Sequence, residues 1–187
     1  MRERRTAKKH QSLAGQLLLA HPALREPTFR RTVILMSAHN DDGAMGVVLN
    51  RPLGKQLAEL NPEFALGPLA GVPLYNGGPV SPDQLIIVSW QWLKTEGAFQ
   101  LHFGLEPEKA AELVGTPGVI IRAFLGYAGW SKGQLESEMK HDTWFVATVD
   151  GELLEQYDDA ALWRSILGSI DPELKLQANE PDDPTVN

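Results

Sequence analysis

Seven residues near the middle of the chain, Val119-Ile120-Ile121-Arg122-Ala123-Phe124-Leu125, narrow the folds open to it. They are β-branched or aromatic for the most part, follow Pro117-Gly118 and are closed by Gly126. That pattern predicts a mostly buried strand. The next thirteen residues, Gly126-Tyr127-Ala128-Gly129-Trp130-Ser131-Lys132-Gly133-Gln134-Leu135-Glu136-Ser137-Glu138, crowd three glycines, two aromatics and two carboxylates together. Ser131 with Gln134 has the spacing of an N-cap and capping box, and Trp130 with Leu135 that of a hydrophobic staple. A helix is predicted over about 132–140, with Glu136 placed to pair with Lys140. Thr143 to Val149 reads as the following strand. A capped helix between two strands needs no function. Gly126 and Gly129 are equally explained as suppliers of unusual backbone angles or of room for Tyr127 and Trp130.

The rest of the chain is short strands and isolated helices. Leu17 to Ala20 and Thr32 to Ala38 read as strands, and Ala44 to Leu49 returns from the turn His39-Asn40-Asp41-Asp42-Gly43 as the second arm of a hairpin. Gly46 in that arm suggests a bulge or a close backbone approach. Leu53 to Leu60 is helix-like, Asn61 to Pro73 an irregular glycine- and proline-rich connection, and Gly77-Gly78-Pro79-Val80 a second special loop. Its glycines suit a tight turn better than backbone N–H groups offered to a ligand. Leu85–Trp90 and Ala98–Phe103 form strands about the turn Lys94-Thr95-Glu96-Gly97. A short helix runs from Pro107 to Gly115, Asp150-Gly151 is a turn, and Asp158 or Asp159 caps a helix through Leu167 with Leu162, Ile166 and Leu167 inward. Strand–helix alternation is absent. The expectation is an α+β fold: one compact domain with a mixed, largely antiparallel, strongly curled sheet and several short helices.

Composition removes several chemistries. At 187 residues, 43% hydrophobic and 22% charged, the chain makes one ordinary domain with a substantial core. It has no cysteine, so disulfides, thiol catalysis and thiolate metal sites are excluded. No apolar run is long enough for a membrane span and no signal segment opens the chain, so the expected compartment is the cytoplasm. Met1–His10 holds five basic residues against Glu3, a net of +4; the overall −7 leaves −11 on the remainder. DNA binding by the body is therefore disfavoured, and a nucleic-acid role would fall to the tail. Residues 1–10 are expected to be a basic disordered tail, 11–178 the domain, and 179–187 an acidic disordered tail.

The glycine-rich centre has three sharper readings. As a phosphate loop, Gly126-x-x-Gly129-x-x-x-Gly133 matches neither the dinucleotide fingerprint nor the P-loop, although a helix start near Lys132 would still attract an anion. As a nucleophile elbow, Gly129-Trp130-Ser131-Lys132-Gly133 fits Gly-x-Ser-x-Gly, but the one histidine downstream, His141, closes the same helix. Glu136 and Glu138, two apart on a helix, diverge and make a poor acid/base pair. The histidines 10, 21, 39, 102 and 141 form no close metal pair, and the tryptophans lack interleaved basic residues. The residues expected to contact a ligand are Asn50, Arg51, Gly77, Gly78, Gly126, Gly129, Trp130, Lys132 and Glu136. No catalytic residue, metal or cofactor is assigned. An enzyme would draw on Ser131, Lys132, His21, His102 or Glu136.

Several segments in order resemble the bacterial AlgH/YqgE family. They are Gly15-Gln16-Leu17-Leu18-Leu19-Ala20-His21-Pro22, Pro27-Thr28-Phe29-Arg30-Arg31-Thr32-Val33, Gly43-Ala44-Met45-Gly46-Val47-Val48-Leu49-Asn50-Arg51-Pro52, Gly77-Gly78-Pro79-Val80 and Gly126-Tyr127-Ala128-Gly129-Trp130, with Gly133-Gln134-Leu135-Glu136 and Trp144. The resemblance runs from about residue 12 to 178. It implies a compact cytoplasmic α+β domain and brings the label of transcriptional regulator, from a link to exopolysaccharide control. It carries no established catalytic residues. The implied partner is a small ligand or another protein.

Overall fold

The structure, a computed structural model, describes residues 11–180. The basic segment 1–10, and 181–187 of the acidic one, lie outside the described residues. Nine strands and six short α-helices fall within them. In chain order these are β1 Leu17–Ala20, β2 Val33–Asn40, β3 Gly43–Val48, β4 Pro52–Gln56, α1 Leu57–Leu60, β5 Pro73–Asn76, β6 Val80–Leu93, β7 Ala98–Phe103 and α2 Pro107–Leu113. They continue with β8 Val119–Ser131, α3 Gln134–Lys140, β9 Trp144–Ala147, α4 Gly151–Gln156, α5 Ala160–Ile170 and α6 Pro172–Ala178. One curled mixed sheet takes the order β4-β5-β8-β3-β2-β1-β9, with β6 also on β8 and β7 on β6. Every pairing is antiparallel except β5 with β8. The α+β class is as the sequence implied.

β8 holds the sheet together. Its first half lies between β5 (Leu74 opposite Ala123) and β6 (Ile87 opposite Ala123), and its second half pairs with β3 (Gly46 opposite Ala128). The expected strand end at Gly126 is therefore a bend inside a longer strand, made by a left-handed residue at φ 72°.

Period-two alternation sorts the apolar side chains onto two faces. Leu17, Leu19, Val33, Leu35, Val47 and Phe124 join Leu162, Trp163, Ile166 and Leu167 of α5 in the largest core. Leu18, Ala20, Ile34, Met36, Val48, Ala128 and Trp130 face the other way, onto Leu135 of α3 and Trp144. The all-buried run of β1 follows from having both faces covered. A third cluster joins Leu57, Leu69, Val72, Leu74 and Ile87 to Ala110 of α2.

Four local readings change. Residues 53–56 belong to β4, an exposed strand on β5, so the helix begins only at Leu57. Residues 61–73 carry a 3-10 turn, Pro62–Phe64, and are anchored by buried Leu69 and Val72. Asp150 caps a helix, α4, by accepting from the Glu152 and Leu153 N–H groups. α5 continues past Gly168 to Ile170 because nothing there requires a left-handed end. The close approach read at Gly46 is present: a Cβ there would sit 2.6 Å from the Leu35 carbonyl oxygen, and the bulge lies opposite, between Met36 and Ala38.

Candidate functional site

The two glycine-rich stretches meet, and they meet each other. A Cβ on Gly77 would stand 2.3 Å from the Gly126 carbonyl oxygen, and one on Gly78 2.2 Å from the Tyr127 carbonyl carbon. Their N–H groups are engaged inward, Gly77 donating to the Leu125 carbonyl at 2.8 Å and Gly78 to Asn76 Oδ1 at 3.2 Å. Neither of these two N–H groups is left for a phosphate. The tight-turn reading of Gly77-Gly78 therefore accounts for these glycines.

A hollow lies on each side of this seam. One, of about 320 Å³, is lined by Pro27, Thr28, Arg51, Asn76, Gly78 and Pro82, among others. The other, shallower and of about 440 Å³, has Asn40, Met45, Val80, Tyr127, Gly129 and Trp130 in its wall. The expected ligand residues are thus divided. Arg51 and Gly78 line the first hollow, Gly129 and Trp130 the second, and Gly77 and Gly126 form the seam.

Arg51 is the charged group of the first hollow. Its Nη2 donates to the carbonyls of Pro27 (3.0 Å) and Arg30 (3.2 Å), which fix the guanidinium. Among the described residues it forms no ion pair. Burial, and after it the like charge of Arg30, pulls its pKa below the ordinary arginine value, with Glu26 opposing. It stays protonated at any physiological pH. Glu26 is itself held low by hydrogen bonds from Thr28 and the Phe29 N–H, against a smaller cost of burial.

The remaining expected residues lie outside both linings. Asn50 is buried, and its Oδ1 accepts from the Val33 N–H at 2.9 Å while Nδ2 donates to the Arg31 carbonyl at 2.8 Å. It braces the backbone and does not face the hollow beside Arg51. Lys132 is exposed on the turn before α3. Glu136 faces His39, its Oε1 2.7 Å from Nε2. The Leu13 N–H donates to His39 Nδ1 at 3.1 Å, so Nε2 carries the proton given to Glu136. Glu138 diverges as expected: it accepts from the Trp130 and Trp144 indole N–H groups, each at 2.8 Å.

The Ser131 cap is corrected. β8 runs through Ser131, and the N-cap position of α3 is Gly133, at φ 74°. The Ser131 N–H and hydroxyl both donate to Gln134 Oε1, at 3.0 and 3.2 Å. The glutamine half of the capping box is formed; the serine half is not, because the extended strand carries the hydroxyl away from the helix start. His141 Nδ1 contacts the Ser137 carbonyl at 2.8 Å, which leaves the elbow serine without that base.

One charged residue escaped the sequence reading. Arg122, within the apolar run of β8, is only 6% exposed. Its guanidinium carbon lies 4.9 Å from the Tyr75 ring centre and 5.0 Å from that of Trp90, between the two. Nη2 donates to the Leu154 carbonyl at 2.8 Å, while Nη1 and the neighbouring Trp90 Nε1 are buried donors with no partner. Two cation–π contacts are worth about 1–4 kcal/mol together. Removing a charge from water costs several kcal/mol even after relaxation. The signal was an arginine inside a strand buried on both faces.

These features define a class: a single α+β domain whose curled mixed sheet is joined by a glycine seam, with an arginine-bearing hollow beside it. The AlgH-like family model matches residues 17–175, and the chain belongs to that family. It is 36% identical to a UPF0301 protein of Streptomyces coelicolor over 94% of this chain and 96% of that one. It is 37% identical to a UPF0301 protein of Magnetococcus marinus over 91% and 97%. Among solved structures it resembles the AlgH protein of Pseudomonas aeruginosa, with TM-score 0.65 and 28% identity over 98% of this chain and 100% of that one. A protein of Corynebacterium diphtheriae is similar at TM-score 0.68 and 25% identity, over 93% and 95%. No helix of the described residues is long and apolar enough to cross a membrane.

Proposed function

We propose that this protein works by binding a small anionic ligand in the hollow beside Arg51, and that it is not a catalyst. The observation that carries the reading is the Arg51 guanidinium, fixed by two backbone carbonyls, bordering a hollow and forming no ion pair among the described residues. Thr28 and Asn76 add polar walls, and the Gly77–Gly78 seam supplies a floor. A regulatory role of the kind associated with the family would then pass through a protein partner, since the charge of the body repels nucleic acid. Cytoplasmic location belongs to the same reading.

Differential scanning fluorimetry of the full chain against pyrophosphate, citrate and adenosine nucleotides tests it. A ligand at a hundred times its Kd adds about 2.7 kcal/mol of stability, a rise of several degrees in Tm. The rise is expected to vanish in Arg51→Gln. Equal rises in both proteins, or none with any of these probes, would overturn the reading.

A further inference from the structure

A separate hollow of about 450 Å³ opens beside Arg122, at the N-terminal ends of β5 and β8 and away from the seam. Its wall is apolar along Pro73, Val119, Ile120 and Ile121, and Tyr75 and Glu155 complete it. Among the described residues Arg122 is the one cation in it, and no carboxylate pairs with that arginine. Beside it sit two buried donors without acceptors, Arg122 Nη1 and Trp90 Nε1. Buried donors of native proteins nearly always have a partner, so the orphan on Arg122, with a second on the Trp90 ring whose centre lies 5.0 Å from its guanidinium carbon, points to an acceptor from outside the chain.

We propose that this hollow binds a small monocarboxylate with an apolar body. The carboxylate would take the orphan Nη1 hydrogen and the second hydrogen of Nη2, leaving the Leu154 bond in place; a guanidinium fork fits two carboxylate oxygens in this way. The hydrocarbon part would lie along Pro73 and Ile120, which share the Arg122 face of the sheet. Two carboxylates of the chain set the charge limit. Glu155 stands on the rim, and Asp158 accepts from the Tyr75 hydroxyl at 3.2 Å. They repel a dianion or phosphate while tolerating a single charge. The orphan donors are closed to water, so the head group must push a rim side chain aside, and exposed Glu155 is the one that like charge would move.

Proton–nitrogen NMR spectra of the full chain decide the matter, with sodium octanoate as probe, octanol as its uncharged match and inorganic phosphate as the polar control. Octanoate is expected to move the Trp90 indole N–H signal, assigned with Trp90→Phe, in a saturable manner. Octanol and phosphate should leave it in place. Glu155→Gln should bind octanoate several-fold more tightly, and Arg122→Lys at least tenfold more weakly. If Arg122→Lys fails to fold, the Glu155→Gln comparison carries the test. Equal shifts with octanol, no shift with octanoate below its micelle concentration, or unchanged affinity in Glu155→Gln overturns the proposal. Loss of the pyrophosphate or nucleotide effect at Arg51 bears on the other hollow alone.

Discussion

Gly126 and Gly78 touch backbone to backbone: a Cβ on Gly126 would lie 2.4 Å from the Gly78 carbonyl oxygen. Gly126 also sits at φ 72°. Gly126→Ala is therefore expected to cost about 2–4 kcal/mol, combining left-handed strain with overpacking against immovable backbone. Gly133→Ala is the control, at φ 74° with no atom near the added carbon, and should cost only about 1–2 kcal/mol. Urea denaturation of both variants checks the difference. Equal costs would show that the seam is looser than described.

Glu138 gathers the indole N–H groups of Trp130 and Trp144, both nearly buried, and the Gln134 amide at 3.0 Å. Glu138→Ala leaves two indole donors unsatisfied and should destabilise by about 2–5 kcal/mol. Glu138→Gln retains an acceptor oxygen and should cost less than half as much. Denaturant midpoints, with near-ultraviolet circular dichroism for the tryptophans, measure both.

Asn50→Ala removes the acceptor for the Val33 N–H and the donor to the Arg31 carbonyl, a loss of about 2–4 kcal/mol. It should leave the pyrophosphate and nucleotide response at Arg51 intact at temperatures where the variant is folded. Loss of that response in folded Asn50→Ala would place Asn50 in the ligand site and contradict the bracing role.

Tyr75 supplies a pH test. Burial raises its pKa above the ordinary tyrosine value, Arg122 opposes, and the Asp158 charge and hydrogen bond raise it further. A raised folded pKa means that the neutral phenol is favoured in the native state. Its stabilising effect is complete below about pH 10 and fades as pH climbs through the folded value. Absorbance titration should find one of the three tyrosines ionising last, and Tyr75→Phe should remove that step and flatten the alkaline fall in stability. A wild-type titration with all three together would contradict the assignment.

Much of the fold was legible because strands buried on one or both faces announce themselves by composition. Val33–Val48 reads as a hairpin from its turn, and β1 from three leucines. The bend at Gly126 was not, since a glycine that ends a strand and one that bends it look alike without the opposing Gly78. α4 hid behind Asp150-Gly151, which serves a turn or a cap equally well. At the site, Arg51 was among the residues expected to contact a ligand. Glu136 read as an ion-pair partner within its helix, and only tertiary folding could bring His39 to it. Ser131 misled because a capping sequence keeps its spacing even when the strand before it runs long.

The first half of β8 lies between β5 and β6, its second half pairs with β3, and the strand lies late in the chain. During synthesis the β2–β3 hairpin can form early, but β5 has only β4 beside it, and β3 keeps a bare edge, until residues beyond about 131 leave the ribosome. β1 waits longer still for β9. The nascent chain therefore passes through a long stage with unsatisfied strand edges, when intermolecular pairing is the main hazard. Slow translation after residue 131 would help the native sheet to close, whereas truncation before it would leave an aggregation-prone product.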